Sequence, residues 1–235
     1  MIVAFEGIDG AGKNTLVRAV EGKLIGRELP VATGTFPRYE ESIHAQMAAA
    51  ALRHEMGDLT GSIHGMATLF ALDRAEVAEE LAQLSEDGYV VLLDRYVASN
   101  AAYSAARAAT GADTAAEQLR RRAGELPVVH WVAELEFDRL GIPVPDLTVL
   151  VSASPELAGQ RARWRERVDE SRRLDAYESN ATLQELTAAA YAGLAAAEWC
   201  GPWMIAESGD GDVQRRAREI ADAIERAAGM SHTHD

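Results

Sequence analysis

Five short apolar runs punctuate the chain: IVAF (2–5), VATGTF (31–36), YVVLLD (89–94), LTVLVS (147–152) and WMIA (203–206). A half-exposed strand alternates apolar with polar residues, whereas a run that stays apolar is covered on both faces, as in a parallel sheet. Between these runs the apolar positions recur with a helical period. The pattern predicts helices over 14–29, 43–56, 65–84, 99–109, 130–141, from Pro155 onward, over 175–199 and over 212–228. Gly141 and Pro143 close the 130–141 segment. Residues 110–127 are polar and alanine-rich and are placed only loosely. Strands that alternate with helices imply a five-stranded parallel sheet flanked by helices on both faces, with right-handed crossovers. No repeat or linker interrupts this order, so one domain is expected over 1–228. The tail GMSHTHD (229–235) reads as a flexible terminus rather than a metal site, since two histidines without a third ligand bind weakly.

Composition narrows the partners. No apolar run reaches the roughly 18 residues of a membrane span. MIVAFEG lacks the basic start of a signal peptide. Cys200 is the only cysteine, which excludes an intrachain disulfide and a cysteine zinc site. A cytoplasmic protein is expected, acting on neither membrane nor nucleic acid, because a net charge of −14 repels both polyanions. A small phosphorylated substrate stays open, since local arginines can invert the sign within one cleft. QRARWRERVDESRR (160–173) has six arginines against three acids.

The glycines after the first run carry the chemistry. Gly7 to Lys13 fit G-x-x-x-x-G-K, with a strand before and a helix after, the setting in which this motif cradles phosphate. Backbone amides of Gly7, Gly10, Ala11 and Gly12 turn toward the anion, and Lys13 adds a point charge. Asn14 stands where Ser or Thr usually binds Mg²⁺, with Thr15 one place later. Asp9 among phosphates is either a metal ligand or the partner of an arginine. Gly10 occupies a position where an in-loop arginine could sit, so transition-state charge must come from elsewhere. The 160–174 segment reads either as an arginine lid closing over ATP or as a solvated helix face.

LLDRY (92–96) puts Asp94 and Arg95 at the carboxyl end of a central strand, where ligands of open α/β sheets sit. Asp94 suits Mg²⁺ or its waters, and Arg95 an acceptor phosphate; an ion pair capping a helix is the plainer alternative. Phe70 and Arg74 share a helix face; they form a base site or a core phenylalanine beside a surface arginine. Asn100 can read a base edge, with Tyr103 one turn later.

Taken together, GIDGAGK, FPRY, LFALDRAE, DRYVASNAAY, PDLTVLVSASPELAGQR and the arginine-rich DxYE region resemble bacterial thymidylate kinases, the actinobacterial type most closely. The resemblance implies a P-loop nucleoside-monophosphate-kinase fold, a homodimer, and Mg²⁺-dependent phosphoryl transfer from ATP to dTMP. By that resemblance Lys13, Asp9, Arg95 and Arg165 are catalytic. The phosphate loop, Arg161 and Arg165 hold ATP. Phe70 stacks on thymine, Arg74 and Asn100 read its edge, and Tyr103 crowds a 2′-hydroxyl. Arg95, Phe36 and Tyr39 position the acceptor phosphate. Asp9, Asp175, Tyr177 and Glu178 line the acceptor side, and Asp9, Glu178 and Asp94 share the metal. Asn14 and Val168 depart from the family pattern, and 110–127 matches it poorly. The alternatives are a phosphate-loop kinase for another nucleotide or a deoxynucleoside, and a nucleotide-dependent switch ATPase with no acceptor.

Overall fold

The computed structural model describes residues 1–168, 175–177, 179–208 and 213–229, without the side chains of 162–168. The side chains of Arg163, Arg165 and Arg167, together with Arg172, Arg173, Glu178 and the tail from 230 on, therefore lie outside the described residues.

All five apolar runs become parallel strands: β1 (Ile2–Glu6), β2 (Val31–Thr35), β3 (Val90–Asp94), β4 (Leu147–Ser152) and β5 (Trp203–Glu207), in the order β2-β3-β1-β4-β5. Central β1 is buried at every position. Phe5 registers with Asp94 on one side and Val149 on the other, so the central strands end level. The phosphate loop, the Asp94–Arg95 corner and the loop after β4 thus leave from one edge of the sheet. Val3, Phe5, Leu92, Leu93 and Val149 are fully covered. Each such side chain contributes about 1.5–3 kcal/mol on burial.

The helices are α1 (Lys13–Ile25), α2 (Ile43–Leu52), α3 (Ile63–Ala75), α4 (Ala78–Glu86), α5 (Val97–Ala109), α6 (Ala115–Arg122), α7 (Pro127–Ala133), α8 (Pro155–Val168), α9 (Ala181–Ala196) and α10 (Val213–Ala227). They flank the sheet, with α1 against α10 and α5 against α9. Arg27 ties the first pair, its guanidinium 2.6 Å from Asp222 and 2.7 Å from Glu225.

Five boundaries differ from the periodic pattern, each for a local reason. The helix expected over 14–29 stops at Ile25, and Glu28 just beyond it takes a left-handed φ of 63°. The helix expected over 43–56 stops at Leu52, because His54 takes a left-handed φ of 62°. The one expected over 65–84 is two helices, α3 and α4, broken at Val77. Just before that break, the Glu76 carboxylate accepts from Arg38 at 2.6 Å and pairs with His44 Nδ1 at 2.6 Å. The segment 130–141 continues α7 as a π-helical turn, Glu134–Arg139, which admits an extra residue per turn. The helix expected from 175 starts only at Ala181, where Asn180 Oδ1 accepts from Leu183 N at 3.0 Å.

The loosely placed 110–127 region folds as α6 and a short 3₁₀ turn, Ala123–Glu125. It packs on α9. The crossing is close: a Cβ on Gly193 would stand 2.1 Å from the carbonyl oxygen of Leu119. Among the described residues no helix is long and apolar enough to cross a membrane.

Candidate active site

The loop leaving β1 needs left-handed backbone, and glycine supplies it: φ is 143° at Gly7, 82° at Gly10 and 96° at Gly12. Gly12 caps α1 with no side-chain hydrogen bond, so the first amides of the helix stay available to an anion. Lys13 is buried, and its Nζ donates to the carbonyls of Gly7 at 2.9 Å and Ile8 at 3.0 Å. Burial, reinforced by the Arg95 guanidinium, pulls the Lys13 ammonium down to about 8 against the opposing pull of Asp9, Asp94 and Glu6. Asn14 and Thr15 face outward on the first turn of α1.

Arg161 stands beside this loop. Its Nη1 donates to Ser208 Oγ at 2.7 Å, and Ser208 Oγ donates to the Ala11 carbonyl at 2.6 Å. Helix α8 is also in direct backbone contact with the loop. A Cβ on Gly10 would lie 2.1 Å from the carbonyl oxygen of Ala158.

Asp9 meets an arginine. One carboxylate oxygen accepts from Arg95 Nη2; the other accepts from the Tyr103 hydroxyl at 2.6 Å and from Gln184 Nε2 at 3.4 Å. Burial alone would raise the Asp9 carboxyl. The Arg95 and Lys13 cations and the bonds from Tyr103 and Arg95 more than offset it, holding the carboxyl at about 2. Arg95 itself has φ 67°, which turns its side chain back across β1. Its Nη1 donates to the Gly7 carbonyl at 3.1 Å and to Ser99 Oγ at 3.2 Å. Beneath it lies Glu6, fully buried. The Glu6 carboxylate accepts from Tyr96 N at 2.8 Å, Ser99 N at 3.1 Å, Ser99 Oγ at 2.6 Å and Tyr191 Oη at 2.8 Å. A carboxylate at the start of α5 also suits the positive end of the helix dipole.

A cleft of about 1340 Å³ opens from Asp9 and Arg95 to Arg74 and Asn100. Phe36, Tyr39 and Phe70 line it, as do Tyr103, Asp175 and Tyr177. Phe36 is buried and tilts against Tyr96 at 5.9 Å, so it is a wall of the cleft, whereas Tyr39 is exposed. Between them, at the cis Phe36–Pro37 bond, the chain turns so that Arg38 clamps α3 through both Asp73 carboxylate oxygens at 3.0 Å. Tyr103 and Tyr177 stack with centroids 5.7 Å apart, and Arg107 Nη1 holds the Tyr177 hydroxyl at 2.6 Å. Asp175 Oδ1 accepts from Tyr177 N at 2.7 Å.

At the far end Arg74 is buried against Glu136, Nε to Oε2 at 2.5 Å and Nη2 to Oε1 at 2.7 Å. Asn100 Nδ2 donates to the same Oε1 at 2.7 Å and to the Ala67 carbonyl at 2.9 Å.

The cleft thus gathers ten of the residues singled out for an acceptor, from five separate stretches of chain; Glu178, the eleventh, lies outside the described residues. The Arg165 side chain likewise lies outside the described residues, while Arg161 reaches the loop side.

Three contributors escaped the sequence reading: Glu136, Glu6 and Ser208. Glu6 left a signal, a carboxylate directly continuing a buried strand. Glu136 sits in a helical stretch of ordinary amphipathic appearance, and its partner is 62 positions away.

For a metal, the donor set is oxygen only. Among the described residues no group of three or more His, Cys, Asp or Glu could hold an ion by itself. Mg²⁺ commonly takes one or two protein oxygens and completes its shell with phosphates and water, so a single carboxylate can suffice. Both Asp9 oxygens are engaged. Asp94, half-buried at the end of β3 and near enough to Lys13 to oppose the lowering of its pKa, has no side-chain hydrogen bond among the described residues. It fits a hard cation best.

The sequence model of the thymidylate kinase family matches residues 5–129. Thymidylate kinase of Mycobacterium tuberculosis strain H37Rv is 48% identical over 221 residues, covering 94% of this chain and 97% of that protein. A probable thymidylate kinase of Archaeoglobus fulgidus is 29% identical over 179 residues, 74% of this chain and 76% of its own. The solved structure of Candida albicans thymidylate kinase superposes with a TM-score of 0.70 at 20% identity, over 98% of this chain and 93% of that one, a likeness of fold. A phosphate loop on a sheet of order β2-β3-β1-β4-β5, a cleft joined to it through Arg95, and this degree of identity along nearly the whole chain place the protein in the thymidylate kinase family.

Proposed function

We infer that the chain transfers the terminal phosphoryl group of ATP to dTMP, giving dTDP and ADP. The observation that carries this reading is Arg95. It donates to the Gly7 carbonyl of the phosphate loop and to Asp9 of the acceptor cleft, so the two substrates would meet across it.

In the transfer, an oxygen of the dTMP phosphate bonds to the γ-phosphorus while the bond to the β,γ-bridging oxygen breaks, and ADP leaves with that electron pair. The nucleophile is already an anion near neutral pH, so no side chain needs to remove a proton. This agrees with an Asp9 carboxylate locked by Arg95 and Tyr103 rather than free to act as a base. Catalysis then rests on holding two anions in line and neutralising charge. The loop amides and Lys13 serve the β- and γ-phosphates, Arg95 the acceptor phosphate, and Arg161 the donor side. Tyr103 is fixed by Asp9 and stacked on Tyr177; its crowding of a ribose 2′-hydroxyl belongs to this reading through the resemblance. Mg²⁺ bound with the ATP phosphates supplies further neutralisation, with Asp94 and the Asn14 amide oxygen the described side chains suited to hold it. Glu178 and Arg165 belong to the same reading through the resemblance alone. So do a single kinase domain with an arginine lid over 160–174, a cytoplasmic location and a homodimer.

The test is ADP release with and without nucleotide acceptors. ADP should form rapidly with dTMP, and slowly or not at all with dCMP, thymidine or no acceptor. Faster turnover of dCMP or thymidine, or equal ADP release without any acceptor, overturns the reading.

The Lys13 ammonium, held at about 8 in the free site, makes a second prediction. Lys13 must be protonated to meet phosphate, so kcat/KM for ATP should fall as pH rises above about 8. Bound phosphate anions favour the charged form, so the same limb in kcat should lie at higher pH. Rate–pH profiles under both conditions check this, and coincident limbs count against Lys13 as the titrating group.

A further inference from the structure

We propose that Glu136 is a specificity-determining positioning residue: it fixes the Asn100 side-chain amide, so that the site presents an acceptor beside a donor to the base edge. The inference rests on the acceptor cleft being a base site and goes beyond it by naming the residue that fixes the order of donor and acceptor there.

An asparagine side chain is ambiguous by itself. Rotated by 180°, it exchanges an acceptor for a donor at almost no steric change. Here the rotation is blocked on both sides of Nδ2. Its two N–H groups go to the Ala67 carbonyl at 2.9 Å and to Glu136 Oε1 at 2.7 Å. Both neighbours are pure acceptors, so Oδ1 cannot replace Nδ2 there without two repulsive contacts. Asn100 is buried, and Oδ1 is the atom left for a ligand in the cleft it lines.

The same carboxylate sets Arg74. Nε and Nη2 bond to Glu136, so Nη1 and the second Nη2 proton remain for the cleft. Glu136 is fully buried, and both its oxygens are held by this fork. The π-helical turn over Glu134–Arg139 carries it.

One acceptor (Asn100 Oδ1) next to one donor (Arg74) is the complement of a pyrimidine edge that offers N–H beside C=O. Thymine and uracil present that edge at positions 3 and 4. Cytosine presents its reverse, a lone pair at N3 beside an amino group, and would meet acceptor with acceptor and donor with donor. Sites that hydrogen-bond a substrate reject a mismatched one strongly, because their own buried polar groups are then left unpaired.

Glu136→Gln keeps the size of the side chain but supplies a donor where Asn100 and Arg74 need an acceptor. The measurement is kcat/KM for dTMP and for dCMP, with KM for ATP as the control. The variant should lose about 10–100-fold in kcat/KM for dTMP, mainly through KM for dTMP, and its preference for dTMP over dCMP should shrink at least about tenfold. KM for ATP should hold. Glu136→Asp, which keeps the carboxylate, should retain more of the preference than Glu136→Gln. A wild-type preference for dTMP that survives unchanged in Glu136→Gln overturns the assignment alone. A wild-type enzyme that prefers dCMP overturns it together with the proposed function.

If Glu136→Gln does not fold, a crystal structure of the wild-type protein with dTMP decides. Nδ2 on Glu136 and Oδ1 within hydrogen-bond distance of thymine N3 support the role. A base contacted by Nδ2, or Glu136 parted from Asn100, overturns it.

Discussion

Lys13→Ala should lower kcat by about 10²–10³-fold while the protein stays folded. Charge builds on the transferring oxygens as the β,γ bond breaks, and a buried cation acts there with little screening. Lys13 is also held ready, since Nζ already bonds the Gly7 and Ile8 carbonyls at 2.9 and 3.0 Å and need not be reorganised from solvent. The stability effect should be much smaller, and its sign can be worked out. The ammonium is depressed to about 8 by burial first, so the fold disfavours its charged form relative to the unfolded chain. That penalty is complete at pH values below about 8 and vanishes as pH rises to the unfolded value near 10.4. Removing the lysine relieves the penalty while losing two carbonyl hydrogen bonds, and the two effects oppose. Single-turnover kinetics beside a thermal melt separate them: an unchanged kcat would mean that the loop lysine only braces the backbone.

Arg95→Ala should be the second severe loss, about 10²-fold or more in kcat/KM, accompanied by a destabilisation of about 1.5–3 kcal/mol at neutral pH. One guanidinium serves the Gly7 carbonyl, Ser99 and Asp9, so no single-function substitute exists. Lysine would keep the charge but not the fork. Asp9 provides the diagnostic readout. Its folded carboxyl, at about 2, lies below the unfolded value near 3.9, so it contributes stability at pH above 4 that is lost as pH falls toward 2. Without Arg95 the burial that opposes ionisation is offset only by Lys13 and Tyr103, and that acid limb should move to higher pH. Denaturant unfolding between pH 2 and 7 reads the shift. A variant with normal acid stability would show that Asp9 draws its stabilisation from Tyr103 and Lys13 instead.

The sheet was legible because its three central strands, β1, β3 and β4, are buried on both faces and stay apolar almost throughout, while the half-exposed edge strands β2 and β5 keep enough apolar residues to be seen; LTVLVS matches β4 residue for residue. The helices were legible in existence but not in length. Periodicity marks an apolar face and says nothing of Glu76 drawn toward Arg38 and His44, or of Asn180 opening α9 five residues after the expected start. At the site, each residue type suggested a chemistry while its partner stayed hidden. Asp9 carried two readings until Arg95 Nη2 and Tyr103 were found on its oxygens. Arg74 could have been a surface residue, because the carboxylate that buries it comes from a π-helical turn no spacing rule announces.

Gly10 couples two solutions to one electrostatic need. The volume in which a side chain at this position would begin already holds the Ala158 carbonyl of α8, 2.1 Å from an ideal Cβ. An arginine placed in the loop would displace the helix that carries Arg161 and the arginines after it. For a protein engineer or an evolving lineage, moving the positive charge from helix to loop is therefore not one substitution. A Gly10→Arg chain must first rebuild the seat of α8, and every intermediate on that route holds either two competing charges or none.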